Sequence, residues 1–546
     1  MSFFRPKILT TMKGYKKEDF FRDFTAGIIV AIIALPLSIA LAIASGVSPE
    51  KGIHTAIIAG FLISLFGGSR VQIGGPTGAF MIIVYGIVKE FGLDGLIFAT
   101  IMAGIMLIFM GLLKLGDVIK FIPFPIITGF TSGIALMIFS SQIKDFLGLE
   151  MGEPPSEFIE KWASYFSNID SVNYGSLFIG IITLLIIIFW PRLGFKKIPG
   201  PLIAIIFTTL LVNFINLDVP TIGSKFGELS SSFPKPSLPD FDFGKMKMLI
   251  GPAFTIAILG GIESLLSAVV SDGMIGGKHR SNTELIAQGI GNIGSGLFGG
   301  IPATGAIART VTNINNGGRT PVAGMVHALT LLLIMLLFMP LAELIPLASL
   351  AGILIIVAYN MSEWREFVSF IKAPKSDLVV LIVTFLITVL VDLVVAIEVG
   401  MVLAALLFMK RMSDVTCVEC VNLDYTKEKN RDKCELPAGV QLYEINGPFF
   451  FGAAYKFMDV TKVVSGKGIK VIIIRMENVP AMDATAMHSF EKFIKVCNRK
   501  DIKILISKIK EQPLAVLKKS GLYEEIGEKH FFNATDDAVR YSEKIV

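Results

Sequence analysis

From about Asp23 to about Met412 the chain alternates apolar stretches of roughly 20 residues with short polar breaks, and a run of that length is what a helix needs to cross the hydrocarbon core of a bilayer. Read in order, the pattern predicts about 14 membrane segments, some too short to span alone. Beyond Met412 the pattern changes. A polar stretch, 413–437, leads into short alternating strands and amphipathic helices. Val440 to Ile445 reads as a strand from its apolar and polar alternation, and Lys470 to Arg475 as a buried strand from its β-branched centre. Ala484 to Cys497 reads as a helix capped by Asp483. Ile502 to Ile506 is a further strand, Pro513 to Lys519 a further helix, and Thr535 is expected to cap a last helix with Asp536 and Asp537 in its first turn. Strands alternating with helices imply a partly parallel sheet covered by helices. The expected organisation is an N-terminal segment 1–22, a membrane part 23–412, a linker 413–437 and an α/β domain 438–546.

Loop charges orient this pattern. Arg5, Lys7, Lys13, Lys16, Lys17 and Arg22 precede the first apolar run, which is long and has no small-residue cleavage site after it, so it reads as a membrane helix and not a removable signal. With that basic segment inside, alternate breaks should be basic. Those holding Arg70, Lys114 with Lys120, Arg192 with Lys196 and Lys197, Lys278 with Arg280, Arg319, Lys372 with Lys375, and Lys410 with Arg411 fall on the inside. The break from Lys144 to Val172 then lies outside, and it is acidic, with Asp145, Glu150, Glu153, Glu157, Glu160 and Asp170. An even number of crossings follows, with both termini cytoplasmic and the chain in the inner (plasma) membrane.

Composition agrees: 53% hydrophobic and 17% charged residues, with a mean hydropathy of +0.68, exceed what an ordinary soluble fold can bury. The net charge of +5 is a topology signal and no pointer to nucleic acid. Cys417, Cys420, Cys434 and Cys497 lie in the compartment assigned as reducing, which favours free thiols. The Cys417 and Cys420 spacing suits a metal, but no second tight pair or nearby histidine completes a zinc site, so neither metal nor cofactor is expected.

An internal repeat points to chemistry. Gly74-Gly75-Pro76-Thr77-Gly78-Ala79-Phe80 in the first half has its counterpart in Gly299-Gly300-Ile301-Pro302-Ala303-Thr304-Gly305-Ala306-Ile307 in the second. Each opens an apolar segment too short to cross, and interrupted segments at matching places are the mark of a carrier's substrate site. Pro36 precedes Pro76 by 40 residues and Glu263 precedes Pro302 by 39, which implies an inverted repeat of seven plus seven helices. Two half-helices starting near mid-membrane would turn free N–H groups and positive dipole ends toward the space between them, where an anion fits. Thr77 and Thr304 are candidate hydroxyl donors, and Arg309 a candidate fixed charge. The alternative is that the glycines and prolines only permit close packing.

Glu263 lies near the centre of the apolar run Ala253 to Val270, where an ionised carboxylate costs about 2.5–3.5 kcal/mol or more. Ser267 shares its helix face. Three roles stay open for Glu263: a sodium ligand together with Ser267, a proton carrier, or a structural ion pair with Arg309. His327, in an apolar segment with no acidic neighbour, reads as a packed histidine.

These residues resemble the sulfate permease (SulP) family of anion transporters. Asp23-Phe24-Thr25-Ala26-Gly27-Ile28 with Leu35, Pro36 and Ala42 is similar to the family's first helix; Gly75-Pro76-Thr77 resembles its third, Gly261 to Ser267 its eighth, and Phe298 to Asn313 its tenth. The region from about Ala438 resembles the family's STAS domain. The resemblance implies a core domain of helices one to four and eight to eleven moving against a gate domain, and substrate held between helices three and ten. It makes Pro76, Thr77, Gly78, Ala303, Thr304, Gly305 and Arg309 site candidates, with Ser38 from the first helix, and it implies a homodimer. Leu37 and Leu41 stand where animal relatives carry a polar and an aromatic residue, so their selectivity does not transfer. Asp483-Ala484-Thr485-Ala486 lacks the serine that is phosphorylated in antagonist STAS domains.

The expected function is secondary active transport of a small inorganic or carboxylate anion, sulfate, bicarbonate or a dicarboxylate such as fumarate or succinate, by proton or sodium symport through Glu263. An uncoupled exchanger or channel-like pathway is the alternative. A membrane-anchored signalling protein would not need matched broken helices, and an enzyme finds no nucleophile and base pair or nucleotide loop here.

Overall fold

The structure is a computed structural model, and it describes residues 4–117, 123–152, 154–155, 157–193, 199–236, 243–391, 393–420, 436–451 and 468–546. Lys120, Glu153, Lys196, Lys197 and Cys434, named above, lie outside the described residues. The chain divides into two compact units, Met1–Met401 and Val402–Val546.

The first unit is helical. In chain order come α1 (Lys17–Ala44), α2 (Pro49–Phe66), α3 (81–91), α4 (93–112), α5 (Phe124–Leu147), α6 (Tyr174–Phe189) and α7 (Gly200–Ile215). Then follow α8 (Phe243–Ile275), α9 (Ser281–Leu297), α10 (Ile307–Asn315), α11 (Pro321–Ala342), α12 (Leu347–Met361), α13 (Lys375–Leu390) and α14 (Leu393–Val415), with short helices in the connections. Helices α3 and α4 are parted by Gly92, whose φ of 70° breaks the run. Among the described residues seven helical stretches are long and apolar enough to cross a membrane, and Lys17–Ala44, Phe124–Leu147, Met246–Ile275 and Pro321–Ala342 are among them. Large apolar side chains such as Phe109, Leu210, Phe214 and Leu337 are exposed, as lipid-facing positions should be.

Packing reproduces the sevenfold offset of the repeat. Helix α4 packs on α8 and α9, and their counterparts in the other half pack in the same way: α11 on α1 and α2. The pairs α5 with α13 and α6 with α12 are related likewise, while α2 with α9 and α5 with α12 map onto themselves. The contacts thus gather α1 to α4 and α8 to α11 into one body and α5 to α7 with α12 and α13 into another. Gly400 of α14 sits against Thr384 of α13 and Ile126 of α5. Where α4 crosses α9 there is no room for side chains. A Cβ on Gly104 would come within 2.6 Å of the Gly289 carbonyl, and one on Gly289 within 2.4 Å of the Gly104 carbonyl.

The second unit carries a five-stranded sheet in the order β3 (Cys417–Cys420), β4 (Val440–Asn446), β5 (Val471–Asn478), β6 (Lys503–Ser507), β7 (Phe531–Phe532). Its last four strands are parallel, and β3, which forms within the stretch 413–437, adds antiparallel to β4. Alternation along β5 splits the core. Ile472 and Ile474 pack with Phe490 and Phe493 of α15 (Ala484–Arg499), while Val471 and Ile473 pack with Ala538 and Val539 of a last helix, Thr535–Ser542. Asp483 caps α15 as expected, accepting from the Ala486 N–H at 2.7 Å. Thr535 does not cap its helix. Ala534 is the cap residue, and the Thr535 hydroxyl pairs with Ser507 Oγ at 3.2 Å, because a neighbouring strand end offers a partner within reach. Cys417, Cys420 and Cys497 form no disulfide, and no metal-binding cluster occurs, among the described residues.

Candidate functional site

Two arms of extended backbone cross inside the first unit. Gly74–Gly75 (β1) pairs antiparallel with Thr304–Gly305 (β2), Gly74 opposite Gly305 and Gly75 opposite Thr304, and Ala306 N–H continues the pairing to the Ile73 carbonyl at 2.9 Å. Each arm then turns into a helix, the first through a tight turn at Gly78–Phe80 into α3 and the second into α10. The opening amides of a helix have no partner within it and carry its positive dipole end. The crossing therefore brings two such ends together.

Arg309 ties the arms to each other. It is the third residue of α10 and only 3% exposed, yet its Nη2 donates to the Pro76 carbonyl at 3.0 Å and to Ser38 Oγ of α1 at 3.4 Å. Its Nη1 is buried with no hydrogen-bond partner among the described residues, nor does an ion pair join Arg309 to Glu263 there. The backbone at Gly75 makes room for the guanidinium, since a Cβ there would lie 2.3 Å from Nη1.

Helix α8 touches both arms one turn apart. Glu263, part-buried, accepts from the Thr77 hydroxyl at 3.0 Å, and Ser267 donates to Thr310 Oγ1 at 3.3 Å. Glu263 thus meets the first arm and Ser267 the second half-helix, with no hydrogen bond between the two among the described residues. Thr310 Oγ1 also accepts from the Ile73 N–H at 3.1 Å, so both arms are locked to it.

Of the residues singled out from the sequence, Ser38, Pro76, Thr77, Arg309 and Glu263 converge through these bonds. Gly78 is buried beside Ile138 of α5, where a Cβ would come within 2.7 Å of Cδ1. Thr304 and Ala303 are turned the other way. The Thr304 hydroxyl, 0% exposed, donates to the Gly260 carbonyl at 2.7 Å. The N–H and C=O of Ala303 are taken by the Asn292 amide at 2.9 and 2.8 Å. Gly305 lies against Gln72, whose Nε2 a Cβ would strike. His327 is fully buried, with neither ring nitrogen hydrogen-bonded among the described residues.

The sequence reading missed a second buried carboxylate. Glu284 in α9 is 0% exposed and accepts from the Gly68 and Ser69 N–H groups at 2.7 and 2.9 Å, and from Gln288 Nε2 at 2.9 Å. Ser264, next to Glu263, reaches the same carboxylate at 3.4 Å and accepts from Gln72 at 2.7 Å. Glu284, Gln288, Asn292 and Ser295 recur every three or four residues and form one polar stripe down α9, a signal that was present in the sequence.

A repeat of seven helices, a pair of broken segments crossing within the fold and a helix-borne carboxylate beside them are the features of a multi-pass membrane transporter. The profile of the Sulfate permease family matches residues 20–384, and that of the STAS domain matches residues 434–538. YvdB of Bacillus subtilis (strain 168), a protein named for sulfate transport, is 42% identical over 526 residues, 96% of this chain and 98% of its own. The bicarbonate transporter BicA of Picosynechococcus sp. (strain ATCC 27264 / PCC 7002 / PR-6) is 32% identical over 95% of this chain and 94% of its own. Among solved structures, the murine Solute Carrier 26 family member A9 anion transporter in the inward-facing state has the same fold, with a TM-score of 0.88 at 18% identity over 99% of this chain and 94% of that one. The chain belongs to the sulfate permease family of anion transporters and carries a C-terminal STAS domain.

Proposed function

We propose that the protein accumulates a small anion by secondary active transport, binding it between α3 and α10 and coupling its entry to a proton or sodium ion through Glu263 and Ser267. The observation that carries this reading is Arg309, a buried guanidinium with an unused Nη1 donor and no carboxylate partner among the described residues, placed where two helix starts meet. An anion there would meet Arg309 and the opening amides at Gly78 and Ile307, with Ser38, Pro76, Thr77, Ala303, Thr304 and Gly305 shaping the pocket. The names of the relatives put sulfate and bicarbonate first as substrates, with dicarboxylates such as fumarate and succinate behind them. The proposal includes insertion in the inner membrane as a homodimer with both termini cytoplasmic.

Purified protein in vesicles, offered each labelled anion under imposed proton or sodium gradients, tests this. Arg309→Ala should remain monodisperse and lose roughly ten- to hundredfold in anion affinity, the worth of one charge-assisted hydrogen bond. An unchanged affinity removes Arg309 from the site. Glu263→Gln keeps size and hydrogen bonding, but it neither takes up a proton nor offers a full charge to sodium. It should abolish gradient-driven accumulation, with loss of the pH response in the proton case and of the sodium response in the sodium case. Concentrative uptake that survives with its gradient dependence intact would place coupling elsewhere, and loss of all gradient dependence in the wild type would leave the exchanger or channel-like reading.

A further inference from the structure

Helices α2 and α9 pack against each other, and each holds the stretch that leads from the other into its broken segment. Near the start of α2 the buried Thr55 accepts from the Ile301 N–H at 2.7 Å, while Ser295, near the end of α9, donates to the Ile301 carbonyl at 2.6 Å. At the opposite end of the pair Glu284, in the first turn of α9, holds Gly68 and Ser69, which follow α2 and lead to the first arm. That approach is close enough to require glycine. A Cβ on Gly68 would come within 2.2 Å of the Arg280 carbonyl, and the Arg280 N–H bonds the Gly68 carbonyl at 3.0 Å.

The two braces differ in what they join. Thr55 and Ser295 grip one loop residue, whereas Glu284 divides its oxygens between two elements. Its Oε2 accepts both backbone N–H groups, at 2.7 and 2.9 Å. Its Oε1 accepts from Gln288 Nε2 at 2.9 Å and from Ser264 Oγ at 3.4 Å. Ser264 lies on α8 and accepts from Gln72 Nε2 at 2.7 Å, so its own hydrogen is available to Glu284. One carboxylate therefore holds both the loop that leads to the first arm and the helix that faces that arm. Further along the same two segments Thr77 meets Glu263 at 3.0 Å.

We propose that Glu284 is a positioning residue for the coupling contact: it sets the register of the first arm against α8 and so fixes the hydrogen bond from Thr77 to Glu263. The inference rests on the reading of Glu263 as the coupling residue. Each Glu284 oxygen receives two donors, and an amide in its place has only one accepting oxygen. Glu284→Gln must therefore turn its NH2 group either toward the Gly68 and Ser69 N–H groups or toward Gln288 and Ser264, and the brace opens at one end.

Two measurements on the full-length protein test this. The first is amide hydrogen exchange in detergent, which needs no transport. Glu284→Gln should speed exchange in residues 67–73 by about tenfold or more and leave 299–303, held by Thr55 and Ser295, near wild type. Unchanged exchange in 67–73, or equal acceleration of both segments, overturns the proposal. The second is a double-mutant cycle on uptake into vesicles under the imposed gradient. Glu284→Gln should raise the half-saturating concentration of the coupling ion by about threefold or more, and Thr77→Val, which has its own effect in the wild type, should add less than about twofold in the Glu284→Gln background. Independent effects that multiply, or a Thr77→Val without effect in the wild type, overturn it as well. A wild type with no gradient dependence ends the coupling reading instead, and the exchange result still tells whether Glu284 braces the arm. Should Glu284→Gln not fold, Ser264→Ala cuts the brace at α8 alone, and its cycle with Thr77→Val decides by the same criterion.

Discussion

The two arms that cross in the membrane unit have similar sequences and different surroundings. In the first, Thr77 is part-exposed and gives its hydroxyl to Glu263, a group that can change charge. In the second, Thr304 is sealed and gives its hydroxyl to a backbone carbonyl, while Asn292 takes both backbone groups of the preceding Ala303. The first arm is tied to a side chain that can let go; the second is tied to groups that cannot. A repeat therefore supplies two helix starts without supplying two equivalent half-sites.

That division can be broken most severely at Asn292. Asn292→Ala leaves the Ala303 N–H and C=O unpaired in a fully buried place, and at about 1–3 kcal/mol per orphaned group it should destabilise the protein by about 2–6 kcal/mol. Denaturation of the detergent-purified protein reads this, and a midpoint equal to wild type would show that the second arm is not held by Asn292. Next in size is Gly75→Ala, whose new Cβ would occupy the space of Arg309 Nη1. Because Gly75 has a φ of 157°, which an alanine rarely adopts, stability should fall by about 1–3 kcal/mol while anion affinity falls several-fold; unchanged uptake kinetics in a folded variant would separate Arg309 from the substrate.

The threonines sharpen the contrast. Thr304→Val should cost about 1 kcal/mol of stability and leave the KM for uptake near wild type, while Thr77→Val should leave stability within about 0.5 kcal/mol and alter the gradient dependence. The same phenotype from both would erase the distinction drawn here. The smallest effect is expected at Cys497, far along the chain in the other unit. Burial pushes its thiol up to about 12, so at pH 8 it is almost wholly protonated and should resist thiol reagents until its unit unfolds, whereas the exposed Cys420 should label at once. If the two units melt independently, Asn292→Ala will leave Cys497 labelling unchanged.

Much of this molecule was legible before folding. Pro36, Glu263, Pro76 and Pro302 announced the repeat through their spacing, and Glu263 stood out because a carboxylate amid apolar residues is costly. Glu284 did not stand out, although it is more deeply buried. It sits in α9 among Asn282, Thr283, Gln288 and Asn292, where a carboxylate looks like part of an ordinary wet face. The donors that make its burial tolerable, Gly68 and Ser69, are 216 and 215 residues away, beyond any local pattern.

Hydropathy period, loop charge and turn chemistry act over a few residues, so the sequence by itself determined where most helices and strands form and that two membrane segments are broken in the same way; β3, inside the stretch read as a linker, was not among them. Which side of each broken segment faces open space is a different kind of question. The Thr77 hydroxyl turns to Glu263 and the Thr304 hydroxyl to Gly260 because of what α8 places opposite each of them. A hydroxyl rotates to whichever acceptor is within reach. For both residues that acceptor arrives from a distant part of the chain, and only the packed structure decides it.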